Sequence, residues 1–102
     1  MIKHLVLVKF RADATDAEIS GAIGGLRNLV GNIPGLLDFC GGAYVPGEGL
    51  NRGFTHAFVM TFESIEHRDG YLVHPLHAAT AEAALPYVDG GLAGVVAFDF
   101  ET

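Results

Sequence analysis

The first ten residues contain the strongest restriction on the fold, a strand pattern that is apolar on both of its faces. Residues 2–10 are mostly β-branched and aliphatic, without glycine or proline, which favours a β-strand. Successive side chains of a strand point to opposite faces, and both alternating sets are largely apolar here. We therefore expect both faces of the sheet that contains this strand to be covered.

The remaining chain alternates helix and strand signals. Thr15 and Glu18 have the spacing of a capping box, which predicts a helix extending towards Asn32. Ser64 is a candidate cap for a short helix. Pro75 is a candidate first residue of another helix, which reaches about Val88. Further strands are predicted at residues 36–45, with an irregularity at Gly41–Gly42, and at 54–62 and 94–101.

This order of elements is the split βαβ arrangement of ferredoxin-like folds, an α+β class with helices on one face of a four-stranded antiparallel sheet. The 102 residues are expected to form one domain, 1–102. The other face, which we call the open sheet face, carries Leu5, Leu7, Val59, Val96 and Phe98. An apolar patch of this size is typical of an interface, so we expect a homodimer through the open sheet face.

Composition excludes several functions. Six basic and twelve acidic residues give a net charge of −6 with no basic cluster, so nucleic acids and anionic membranes are not expected partners. No apolar run reaches the roughly 18 residues that a membrane span needs. A single cysteine, Cys40, cannot form an internal disulfide, and a cytoplasmic location is expected.

Residues 71–77 contain the densest group of chemically active side chains. Pro75 suits the first position of a helix, which places His77 in the first turn. The helix dipole disfavours a positive charge there, so the imidazole is expected to stay neutral, as a general base requires. Tyr71 is placed to orient it. The alternative interpretation is that His74 and His77 are local caps and that Tyr71 only packs.

His4 and His56 lie in strand patterns on faces made otherwise of large apolar side chains. If strands one and three are neighbours, both histidines share the face that the Pro75 helix covers. Three histidines and Tyr71 then line one apolar cavity; for any single histidine the alternative is a satisfied core residue. Asp99 is interpreted as a structural or edge carboxylate, and Arg68 and Asp69 as exposed. No metal site is predicted, because His74 and His77 have no carboxylate or thiolate near them in sequence.

These motifs resemble the stress-responsive A/B barrel (Dabb) domain family of dimeric α+β barrels. The resemblance covers nearly the whole chain. It is carried by residues 2–10, 33–35, 61–64, 71–77 and 98–100. It implies a cavity between sheet and helices within each subunit, lined also by Val6, Val8, Phe58, Leu72, Val95 and Ala97.

The resemblance extends to a polyketide cyclase of this family, which closes a linear polyketide by intramolecular aldol condensation. Its histidine base and the tyrosine that holds the base fall on His77 and Tyr71, and two further pocket histidines fall on His4 and His56. Its aromatic pocket residues on the first helix fall on Ala22, Ile23 and Leu26. The pocket is therefore expected to differ in shape from that of the cyclase.

Two functional hypotheses follow. The first is a cofactor-independent enzyme in which His77 abstracts a proton next to a carbonyl group, with a polyketide-like substrate; no cofactor is expected, because a β-polycarbonyl methylene is already acidic. The second is a non-catalytic dimeric barrel that is stress-associated or binds a small hydrophobic ligand. A third, an α+β-barrel monooxygenase, shares the fold but lacks this histidine–tyrosine pattern.

Overall fold

The computed structural model describes all 102 residues. The elements, in chain order, are β1 (Ile2–Val8), α1 (Asp16–Arg27), β2 (Leu36–Ala43), β3 (His56–Phe62), α2 (Ile65–Leu72), α3 (Pro75–Ala84) and β4 (Val95–Glu101). Two 3-10 turns, Leu85–Tyr87 and Gly91–Gly94, connect α3 to β4. The four strands form one antiparallel sheet in the order β2-β3-β1-β4. The predicted α+β, ferredoxin-like fold is confirmed.

Strand β1 lies at the centre of the sheet and determines which side chains meet. Its residues alternate between buried and half-buried, with Ile2, His4, Val6 and Val8 on the buried face. His4 stands opposite Met60 of β3 and Asp99 of β4. Paired residues of an antiparallel sheet share a face, so the side chain of Asp99 lies on the same face as that of His4.

The helices begin where the sequence predicts. The capping box is confirmed, because the Thr15 hydroxyl accepts a hydrogen bond from the Glu18 amide at 3.1 Å and the Glu18 carboxylate accepts one from the Thr15 amide at 2.9 Å. Ser64 caps α2, and Pro75 occupies the first turn of α3. In α3 the cap is His74, whose Nδ1 accepts a hydrogen bond from the Leu76 amide at 3.1 Å.

Several predicted boundaries were wrong. Helix α1 ends at Arg27 and does not extend to Asn32. In the turns that follow the helix, the Asn32 side chain donates a hydrogen bond to the Asn28 carbonyl oxygen. Helix α3 ends at Ala84, because Pro86 has no N–H to continue it. The irregularity of β2 lies between Leu36 and Asp38 and not at the two glycines. All four predicted strands, including the first at residues 2–10, were one or two residues too long at one end. The observed strands run from 2 to 8, 36 to 43, 56 to 62 and 95 to 101.

Gly35, which precedes β2, is required by both its backbone conformation and its surroundings. Its φ is +78°, and a Cβ atom would lie 2.1 Å from Cγ of His67. We expect Gly35→Ala to lower the free energy of unfolding by about 2 kcal/mol or more, because left-handed strain and overlap add. Chemical denaturation measures this loss.

Gly31→Ala is the matched control, since its φ is +83° but no atom lies within 4 Å of its added Cβ. That variant is expected to lose only the strain, about 1 kcal/mol. Equal losses for the two variants would show that the contact with His67 does not matter.

All three helices lie on one side of the sheet, and the open sheet face is uncovered in the monomer. Phe98 is 63% exposed, Val96 and Phe100 are also exposed, and Leu5 and Leu7 are half-buried. The predicted open face is therefore present. None of the helices has the length and apolar character to cross a membrane.

Candidate functional site

A cavity of about 280 Å³ lies between the sheet and the helices. Strands β1, β3 and β4 form one wall, and the three helices form the other. Apart from His4 and His77 its lining is apolar or aromatic. Leu72 and Leu92 belong to the lining and are also exposed, so the cavity reaches the molecular surface.

The structure places most of the predicted site residues on this cavity. The lining includes Val6, Val8, Phe58, Leu72, Val95 and Ala97, together with His4, Tyr71 and His77. Ala22, Ile23 and Leu26 of α1 also line it. Sequence reasoning missed Ala81, Ala84, Leu85 and Val88. Their spacing of three, four and seven residues is a helical stripe, and this signal was available in the sequence.

His77 is the third residue of α3 and contacts the cavity with its ring. Its Nδ1 is buried and has no hydrogen-bond partner. Burial lowers the pKa of His77 below its usual value of 6.5, the Leu72 carbonyl partly offsets this, and the nearby His4 lowers the pKa further. The imidazole is therefore held in the neutral form at pH 7, as a base must be.

Tyr71, at the end of α2, is 1% exposed. Its ring centroid lies 4.1 Å from that of His77, with 32° between the ring planes. The two rings meet in this tilted contact, and the tyrosine hydroxyl has no hydrogen bond from another residue. Burial raises the pKa of Tyr71 well above its usual value, and the charge of Asp99 raises it further. The hydroxyl therefore remains a hydrogen-bond donor at neutral pH.

His4 is held by a carboxylate that the sequence interpretation left outside the site. Its Nδ1 lies 2.6 Å from Oδ1 of Asp99, and Nη1 of Arg68 donates a hydrogen bond to Oδ2 of Asp99. Arg68 was expected to be exposed, but it is half-buried, because it reaches from α2 to β4. Burial alone raises the pKa of Asp99, but the hydrogen bonds from His4 and Arg68 outweigh it, and the net pKa is lowered.

His56 does not line the cavity, which differs from its predicted placement. It pairs with Val8 at the end of β1, and its ring packs edge-on against Phe10 with centroids 5.0 Å apart. Phe10 is itself part of the cavity lining. The Nδ1 of His56 bonds to the Thr55 hydroxyl at 2.9 Å, so this ring already has a local partner.

The link between Asp99 and His4 gives a pH-dependent prediction. Asp99→Asn is expected to lower the free energy of unfolding at pH 7 by about 1.5–3 kcal/mol, because the Arg68 guanidinium loses its charged acceptor on residue 99. In the wild type, Asp99 binds a proton less readily when folded than when unfolded. Its contribution is therefore complete above the usual pKa of 3.8 and is lost as pH falls through the lowered folded value.

The free energies of unfolding of the wild type and of Asp99→Asn should therefore approach each other below pH 3.8. Denaturant unfolding at a series of pH values measures this difference. Asp69→Asn is the control, because Asp69 is the exposed second partner of Arg68. A difference between wild type and Asp99→Asn that stays constant with pH would contradict the prediction.

Fold and cavity together define a class of protein, the ferredoxin-like α+β chain with a pocket under its helices and an apolar sheet face left open. No group of three or more His, Cys, Asp or Glu side chains is arranged to hold a metal ion. The family model for the stress responsive A/B barrel domain matches residues 2–102. The chain belongs to this family.

Known proteins of this kind include an enzyme. The chain is 36% identical over 76 residues to olivetolic acid cyclase from Cannabis sativa, an alignment that covers 74% of this chain and 75% of the cyclase. The crystal structure of At3g17210 from Arabidopsis thaliana superposes with a TM-score of 0.91 at 33% identity, covering 100% of this chain and 95% of that one.

A solved structure from Jannaschia is described as a dimeric ferredoxin-like protein of unknown function. It superposes with a TM-score of 0.87 at 26% identity, covering 99% of this chain and 98% of that one. A second solved structure, from Thermobifida fusca, is also described as a dimeric ferredoxin-like protein and superposes with a TM-score of 0.76 at 26% identity.

Proposed function

We propose that this protein is a cofactor-independent enzyme of the polyketide cyclase type, which closes a linear β-polycarbonyl compound by aldol condensation. The observation that carries the proposal is the imidazole of His77, whose buried Nδ1 has no partner on the wall of an apolar cavity. Leaving a buried polar atom unpaired costs about 1–3 kcal/mol, so a purely structural histidine would be expected to have a partner. The similarity to olivetolic acid cyclase supports the same chemistry.

The proposed reaction needs only a base and a hydrogen-bond donor. His77 takes a proton from the methylene between two carbonyl groups, and the C–H electrons form an enolate. The Tyr71 hydroxyl donates a hydrogen bond to the developing oxyanion, which stabilises it. The enolate carbon attacks a distant carbonyl of the same chain to form the ring bond. The resulting alkoxide takes the proton back from His77, which regenerates the base. The new hydroxyl then leaves with a proton of the neighbouring carbon as water, which completes the condensation.

The lining of the cavity fits this substrate class. Apart from the two histidines and the Tyr71 hydroxyl its wall is apolar, which suits an alkyl chain and reduces the contact of the reacting carbonyls with water. His4, anchored to Asp99 at 2.6 Å, is the proposed polar contact for a second carbonyl region. The apolar residues that are proposed to contact the rest of the substrate are Val6, Val8, Phe58, Leu72, Val95 and Ala97. We assign His56 only an indirect role, through its contact with Phe10.

A second candidate is a non-catalytic barrel that binds a small hydrophobic ligand. One observation favours it: Tyr71 and His77 meet through their ring faces at 4.1 Å and share no hydrogen bond. A cyclase whose base is held by a tyrosine hydroxyl would have a different contact at this point. The two candidates differ in turnover and not in ligand binding.

We also propose that two copies of the chain associate through the open sheet face. Phe98 at 63% exposure, with Val96 and Phe100, gives this face three exposed large apolar side chains on one edge strand. A described dimer among the structural neighbours supports the association. The single cysteine, Cys40, leaves no internal disulfide and supports a cytoplasmic location.

The experiment that tests the enzymatic proposal follows ring closure of linear β-polyketone thioesters of increasing alkyl length. Purified wild type is expected to form cyclised product faster than imidazole buffer at the same pH. The same compounds are titrated in parallel by calorimetry. Binding without product formation would replace the cyclase proposal with the ligand-binding candidate.

A further inference from the structure

We propose that Arg68 is a positioning residue for His4, acting through the carboxylate of Asp99. This inference rests on the proposed function only where it concerns catalysis, since the positioning of His4 is a property of the folded chain. Arg68 and Tyr71 are three residues apart in α2, so their side chains share a helix face. Tyr71 meets the ring of His4 edge-on with centroids 5.8 Å apart. One face of α2 therefore contacts His4 directly through Tyr71 and indirectly through Arg68 and Asp99.

The carboxylate of Asp99 has one donor on each oxygen. Oδ1 accepts from Nδ1 of His4 at 2.6 Å, and Oδ2 accepts from Nη1 of Arg68. Because each oxygen is engaged, the carboxylate cannot rotate without breaking a charge-assisted hydrogen bond. Arg68 also balances the charge of Asp99, whose side chain is 19% exposed. Removing the guanidinium leaves the charge of this carboxylate uncompensated and its orientation held only by the hydrogen bond with His4.

The orientation of Asp99 decides where neutral His4 carries its proton. A carboxylate only accepts hydrogen bonds, so the proton of neutral His4 is on Nδ1 and the lone pair is on Nε2. His4 lines the cavity, and this arrangement gives it a fixed acceptor nitrogen for a bound substrate. Three other side chains lie near the ring: Tyr71 and Phe62, which meet it edge-on, and His77 across the cavity. None of the three forms a hydrogen bond with the ring, whose one side-chain hydrogen bond is to Asp99, so we assign the tautomer to Asp99.

Nitrogen-15 NMR of the histidine rings tests this inference without any substrate. Spectra are recorded above pH 8, where neutral imidazoles dominate, and ring signals are assigned through their own backbone amides. In the wild type, His4 is expected to show a protonated Nδ1 and an unprotonated Nε2. In Arg68→Ala both signals are expected to move towards the intermediate values of a tautomer mixture. Arg68→Lys, which keeps a cation, is expected to restore part of the wild-type pattern.

Arg11→Ala is the matched control, because Arg11 forms an arginine–carboxylate pair with Asp13 in an exposed position away from the cavity. Its His4 signals are expected to match the wild type. Wild-type ring signals for His4 in Arg68→Ala would overturn the inference. If Arg68→Ala does not give a dispersed amide spectrum, Arg68→Gln provides the same comparison with a side chain of similar length and no charge.

Turnover separates this inference from the proposed function. If the wild type closes β-polyketone thioesters, Arg68→Ala should lower kcat on the order of 10-fold at a similar KM, because a displaced catalytic contact costs rate. If the wild type has no turnover, the cyclase proposal fails and the NMR comparison still decides the role of Arg68.

Discussion

His77→Ala should abolish ring closure and leave the protein folded. Positioned general bases contribute about 10²–10⁴-fold to rate, so turnover of β-polyketone thioesters is expected to fall by that factor. Stability should change by only about 1 kcal/mol, since Nδ1 of His77 has no protein partner to lose and the substitution removes only the contacts with the Leu72 carbonyl and the Tyr71 ring. Product formation and denaturant unfolding, measured on the same preparation, test both parts.

His74→Ser is the matched control for this substitution. His74 lies three residues earlier and caps α3 outside the cavity, and serine preserves the capping function. Its turnover should remain within about twofold of wild type, as for other substitutions away from a site. The catalytic role of His77 is refuted if His77→Ala keeps most of the turnover. A loss of roughly 2 kcal/mol in stability together with retained turnover would instead make His77 a structural residue.

Phe98→Asp should convert the proposed dimer into a monomer. Phe98 is the most exposed large apolar residue of the open sheet face, at 63%, and it stands opposite Leu5 of the central strand. Placing a carboxylate there buries an unpaired charge in the interface. Loss of an aromatic hot-spot contact costs about 2–4 kcal/mol, so the dimer dissociation constant should rise on the order of 100-fold or more. Sedimentation at micromolar concentration measures the change.

Val73→Asp provides the comparison, because Val73 is 83% exposed at the junction of α2 and α3, away from the open sheet face. This variant is expected to sediment as the wild type does. A wild type that is already monomeric, or a Phe98→Asp variant that remains dimeric, would refute association through this face.

Much of the fold was predictable because its signals are local. Alternation in β1, the capping box at Thr15 and Glu18, and Pro75 at a helix start each depend on neighbouring residues. The open sheet face followed from the same alternation. Ends of elements were less predictable, since the register shift of β2 depends on pairing with β3, and no pattern within β2 itself indicates it.

The site divides in the same way. The sequence brought His4, Tyr71 and His77 to one cavity, because a four-stranded topology fixes which strands are neighbours. His56 was predicted to line the cavity, but its ring packs against the ring of Phe10, which lies two residues beyond the end of β1. The contact between Arg68 and Asp99 spans 31 positions of the chain. Nothing in the local sequence of either residue indicates its partner, so only the packed structure reveals the pair.

Strand β4 has a consequence for how this protein can change. Its odd-numbered residues Val95, Ala97 and Asp99 belong to the cavity or to its histidine, and its even-numbered residues Val96, Phe98 and Phe100 belong to the open sheet face. Pocket and association surface are therefore interleaved along seven residues. Single substitutions can alter one surface and spare the other, whereas inserting or deleting one residue exchanges the two sets. The strand can evolve by replacement but not by a change in length.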